Sequence, residues 1–72
     1  MYLSRLRDLR EDAELNQTQL AEKLGVAQTI YSGYERGFRD IPLDVLCLIA
    51  DFYHTSTDYI LERTDNPAPP AP

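Results

Sequence analysis

The sequence predicts an all-α fold, and three observations predict it. Apolar residues recur at three- and four-residue steps in successive windows, as on one face of a helix. Residues that start or stop helices stand between those windows, at Asn16, Gly25, Gly37 and Pro42. Four of the five prolines are held back to the last six residues, clear of the periodic segments.

Each element follows in order. Residues 2–13 place Tyr2 or Leu3, Leu6, Leu9 and Ala13 on one stripe, which predicts an amphipathic first helix. Asn16 is a strong N-cap, and Gln19 three positions later completes a capping box. The second helix, about 17–24, buries Leu20, Ala21 and Leu24 and stops at Gly25, where a left-handed residue ends a helix at little cost. A third helix, about 28–36, begins almost at once. Its N-cap position is Ala27, a poor capping residue, and a hydrophobic staple between Val26 and Tyr31 compensates. Gly37 is its stop. Two short helices joined by three or four residues around a glycine cannot lie antiparallel and must cross steeply, which describes a helix-turn-helix over about 17–36. Pro42 opens a fourth helix, about 42–53, and Thr55 or Ser56 caps a short fifth containing Tyr59, Ile60 and Leu61. The domain is thus expected over 1–63. A Pro-rich tail over 64–72 has no means of forming helix or ladder and is expected to be disordered or polyproline-like.

Composition narrows the function classes. With 72 residues, 43% hydrophobic and 26% charged, the chain suits one small globular domain that buries only about 60% of its unfolded surface. No apolar run approaches the roughly 18 to 20 residues of a membrane span, and no signal-peptide core follows Met1. One cysteine and one histidine preclude an internal disulfide and a zinc site of ordinary spacing. A cytoplasmic module without cofactor or metal is expected. The net charge of −5 argues against a polyanionic partner until its distribution is considered. Arg5, Arg7 and Arg10 nearly offset the four acids of residues 1–16, and residues 17–41 are neutral; residues 42–72 hold the remaining −4. The global charge therefore does not exclude a polyanionic ligand near the middle of the chain, and it predicts weak non-specific affinity.

Leu20-Ala21, Gly25, Tyr31 and Tyr34-Glu35-Arg36-Gly37 hold the spacing of a helix-turn-helix, with an alanine that lets two helices approach and a large residue anchoring the second. These residues lie within Asn-Gln-Thr-Gln-Leu-Ala-Glu-Lys-Leu-Gly at 16–25 and Tyr-Ser-Gly-Tyr-Glu-Arg-Gly at 31–37. With Ile-Pro-Leu-Asp-Val-Leu at 41–46 and Ser-Thr-Asp-Tyr-Ile-Leu at 56–61, the chain resembles the DNA-binding domains of phage repressors and Cro, and the related xenobiotic-response-element regulators. The resemblance implies a bundle of five helices with the third in the major groove. Base-reading positions would be Gln28, Thr29, Ser32 and Gly33, the last standing where the family usually has a long polar residue. An amide such as Gln28 suits the adenine edge, and Thr29 suits a base or a thymine methyl. Phosphate contacts would fall to Gln17 at the start of the second helix, and to Arg36 and Arg39. The resemblance also implies a structural ion pair between Arg10 and Glu35.

Other residues have plainer expectations. Tyr31 and Tyr34 lie along the inner side of the third helix and are assigned to packing. Cys47, inside an apolar helix, is expected to be buried and inert. His54 is expected to end the fourth helix with positive φ. In that helix Leu43, Leu46, Ile49, Ala50 and Tyr53 suffice for a core stripe, while Ile41, Val45, Leu48 and Phe52 form a second stripe, expected in part as a two-fold dimer interface. The leading expectation is a homodimeric, sequence-specific DNA-binding transcriptional regulator, a repressor on a pseudo-palindromic operator. The alternative is an antitoxin-like or anti-repressor protein-interaction module. No nucleophile–base pair, metal cluster or phosphate-cradling glycine loop supports an enzyme, and no small-molecule ligand is evident.

Overall fold

A computed structural model describes residues 1–70, and its helices are α1 (Ser4–Asp12), α2 (Gln17–Leu24), α3 (Gln28–Arg36), α4 (Leu43–Phe52) and α5 (Thr57–Ile60). No strand occurs among the described residues. The all-α, five-helix fold expected from the sequence is the fold observed. One core joins the elements: Leu6 of α1, Leu20 of α2, Tyr31 of α3, Ile49 of α4 and Ile60 of α5 are fully buried. α3 packs chiefly on α2, and α5 on α4 and α1. None of the helices is long and apolar enough to cross a membrane.

Local chemistry explains the boundaries. Asn16 Oδ1 accepts from the Gln19 amide at 2.7 Å, and the Asn16 amide donates to Gln19 Oε1 at 2.9 Å, a complete capping box. α3 has no side-chain cap at Ala27; Tyr31 is buried and Val26 half-buried against the core on either side of that uncapped turn. Ser56, not Thr55, caps α5 through the Tyr59 amide at 3.0 Å. All five helices close through left-handed residues: Glu14 (φ 59°), Gly25 (74°), Gly37 (82°), His54 (54°) and Glu62 (63°). The same pair of bonds recurs at each, as where His54 N–H donates to the Asp51 carbonyl and Thr55 N–H to that of Ala50. Gly37 meets two demands, because a Cβ there would also lie 3.1 Å from Tyr2 Cβ.

Several features depart from the expectations. α1 is shorter than 2–13, because Leu3 is extended and Glu14 ends the helix. Leu43, the first residue of α4, is 74% exposed and not part of the core stripe. Cys47 is exposed as well, one residue past Leu46 and about 100° around the helix from it. The described segment after α5 has no helix or strand, and its residues 65–70 are exposed. Arg5 anchors its start, donating to the carbonyls of Tyr59 and Thr64, pairing with Asp65 at 2.7 Å and stacking 4.1 Å over the Tyr59 ring. Thr55 Oγ1 donates to the Pro67 carbonyl at 2.7 Å. Residues 71–72, the end of the predicted tail, lie outside the described residues.

Candidate nucleic-acid interface

The 3.6-residue period of α3 sorts its side chains by face. Tyr31, Tyr34 and Glu35 turn inward and are buried, whereas Gln28, Thr29 and Arg36 are exposed and Ser32 is half-buried. The first turn of the helix therefore forms an outward ridge. The acids Asp58, Glu62 and Asp65 belong to α5 and the segment beyond it, and α5 packs on α4 and α1.

That ridge is braced from two sides. Gln28 Nε2 donates to Gln17 Oε1 at 3.1 Å, joining the N-termini of α2 and α3 across the glycine turn. This bond fixes the Gln28 amide, whose carbonyl and second N–H have no hydrogen bond among the described residues. From within, Arg10 and Glu35 form a two-pronged ion pair: Nε to Oε2 at 2.9 Å and Nη2 to Oε1 at 2.8 Å. Arg10 Nη1 also donates to the Leu15 carbonyl at 2.9 Å, so a single guanidinium ties α1, the α1–α2 loop and α3 together. Burial pushes the Glu35 carboxyl upward, but the hydrogen bonds and charge of Arg10 outweigh it and hold the carboxyl below its usual range. The Arg10 guanidinium is raised by the same hydrogen bonds.

Beside the α2 N-terminus lies an open depression of about 330 Å³ lined by Tyr2, Arg7, Arg10, Gln17, Glu35 and Arg36. Arg10 is paired with Glu35 and Arg7 with Glu11, while Arg36 forms no ion pair among the described residues, which leaves the depression cationic in a chain of net charge −5. Arg7 is a member that sequence reasoning missed. Its only signal was the i,i+4 spacing to Glu11, with which it pairs at 2.6 Å on the solvent side. Arg36 stacks 4.7 Å from the Phe38 ring and stays exposed.

Gly33 and the second stripe of α4 require correction. Gly33, expected among the base-reading residues, is buried beneath the Arg39 side chain: a Cβ built on it would lie 2.8 Å from Arg39 Cδ. Ile41 and Val45, expected at a dimer interface, are partly buried against the chain's own core, Ile41 from the loop before α4 and Val45 from its first turn. Leu48 and Phe52 remain 45% and 37% exposed.

Two short helices across a glycine turn, the second turned outward at its first turn, define a helix-turn-helix domain. The chain belongs to the Helix-turn-helix family, which it matches over residues 6–60. It is 49% identical over 69 residues to the uncharacterized HTH-type transcriptional regulator YobD of Bacillus subtilis, covering 96% of this chain and 62% of that protein. It is 38% identical over 63 residues to the HTH-type transcriptional regulator AnsR of the same organism, covering 88% of this chain and 54% of AnsR. It is also 38% identical over 53 residues to the cryptic phage CTXphi transcriptional repressor RstR of Vibrio cholerae, covering 74% of this chain and 48% of RstR. The chain thus spans about half to three fifths of these relatives.

Proposed function

We propose that this domain binds double-stranded DNA in a sequence-specific way and regulates transcription, with α3 in the major groove. The observation that carries the reading is the exposed Gln28–Thr29 ridge with its Gln28 amide held by Gln17. One Gln28 N–H is satisfied by Gln17, so the other N–H and the carbonyl meet the N7 and N6 groups of adenine together. Thr29 and Ser32 contact neighbouring base edges. Gln17, the α2 N-terminal amides and the arginine-lined depression beside them hold a phosphate, and Arg36 and Arg39 add charge beyond α3.

Two copies act together on a pseudo-palindromic site. On such a site the third helices of the two copies would enter successive major grooves, 34–36 Å apart. Leu48 and Phe52 supply apolar surface for that contact. Repression by occupying promoter DNA fits the relative named as a phage transcriptional repressor. Selection of binding sites from random duplexes tests the reading. The expected result is an inverted pair of short half-sites; recovery of unrelated sequences from repeated rounds would overturn it.

A further inference from the structure

We propose that Arg39 reads a base from a seat on α3 that Gly33 leaves open. The inference rests on the DNA-binding reading above and assigns that interface a residue from outside the helix. Gly33 lies one turn beyond Thr29, on the same outer side of α3. It is nevertheless buried, because the stem of Arg39 lies on it: a Cβ at 33 would stand 2.8 Å from Arg39 Cδ, 3.0 Å from Cγ and 3.3 Å from Nε. The backbone brings it there. After the left-handed turn at Gly37, the amides of Phe38 and Arg39 both donate to the Gly33 carbonyl, at 2.9 and 3.1 Å. Any larger residue at 33 would occupy the seat, whereas glycine allows residue 39 to pack directly on the helix.

The guanidinium is also available. Arg39 is exposed and forms no ion pair among the described residues, and the neighbouring Asp40 is held by the Met1 ammonium at 2.9 Å. Arg36 is placed differently, stacked on Phe38. Arg39 therefore sets a planar, two-pronged donor where the side chain of residue 33 would otherwise project into the groove. The base edge that matches this fork is guanine, through O6 and N7.

The test is site selection followed by binding at several salt concentrations, for the wild type, Arg39→Ala and Gly33→Ala. Gly33→Ala is the informative variant. It keeps the arginine and its charge, suits a helix, and displaces Arg39 because the added methyl meets its Cδ. Far-ultraviolet circular dichroism confirms that each variant is folded. The expected result is a guanine in each wild-type half-site whose preference falls about 10- to 100-fold in both variants, the rest of the site being retained. A base contact neutralises no phosphate, so the salt slope should change little in either variant; a fall of about one for Arg39→Ala marks a phosphate contact instead. If Arg39→Ala weakens all sequences alike and Gly33→Ala selects the wild-type site, Arg39 touches only phosphate and the proposal is overturned. A wild type that selects no sequence overturns the DNA-binding reading itself, and this proposal with it.

Discussion

Replacing Arg10 with alanine removes the guanidinium that joins α1 to α3. The structure sets the size of the effect. Glu35 is 4% exposed and Arg10 14%, so solvent screens the pair little, and truncation strands a buried carboxylate. Breaking a buried pair in this way costs about 3–5 kcal/mol. The Leu15 carbonyl loses a donor in the same step. A domain of 72 residues has a total stability of about 4–11 kcal/mol, so the substitution removes a large fraction of it. Its midpoint temperature should drop by more than about 12 °C. Urea denaturation followed by circular dichroism measures the loss, and its pH dependence checks the cause. In the wild type the Glu35 carboxyl is lowered on folding, so its contribution is present above the unfolded carboxyl value and is lost as pH falls through the folded one. Without Arg10 the main influence that holds the carboxyl down is gone, and burial raises it from its wild-type position. The deficit of the variant should therefore shrink as pH falls, because Glu35 takes up a proton in the variant before it does so in the wild type. Arg10→Met combined with Glu35→Leu should recover much of the loss, because no charge is left buried. A deficit below about 1 kcal/mol, or one that widens on acidification, would refute the reasoning.

Other perturbations have equally definite outcomes. Asn16→Ala removes half of the capping box and should cost about 1 kcal/mol, read as a lower urea midpoint with an unchanged slope. His54→Gly should stabilise by about 0.5–1 kcal/mol, since glycine adopts the φ of 54° without the steric cost borne by histidine; a lower midpoint would contradict the account. Gln28→Ala should cost about 1–3 kcal/mol of binding and relax selection at one base pair; unchanged selection would remove Gln28 from the reading surface. Light scattering on a size-exclusion column should show a dimer at tens of micromolar, lost in Leu48→Glu; a clean wild-type monomer would count against the two-copy arrangement.

The punctuation of the fold was legible because it is local chemistry. Asn16 with Gln19, Gly25 and Gly37 act through backbone groups within a turn of themselves, so their residue types alone reveal them. The inward face of α3 was legible for a related reason, since Tyr31 and Tyr34 leave little doubt about which side is apolar. α4 was harder to orient. Being apolar nearly all round, it gives no sequence contrast to tell Leu46, buried at 5%, from Leu43, exposed at 74%. Only the neighbours packed against each turn decide that. Glu14 and Glu62 end helices in a conformation usually given to glycine, which their residue types conceal. The seat of Arg39 on Gly33 and the anchoring of residues 64–65 by Arg5 are tertiary events between residues far apart in function or in sequence, and neither leaves a periodic trace.

Methylation interference on a selected site tests the central claim most directly, because it reports which groove α3 enters. Methylation of guanine N7 blocks the major groove and that of adenine N3 the minor groove. The account predicts interference at guanine N7 in two clusters about one helical turn apart, on one face of the duplex. Interference confined to adenine N3 would contradict it.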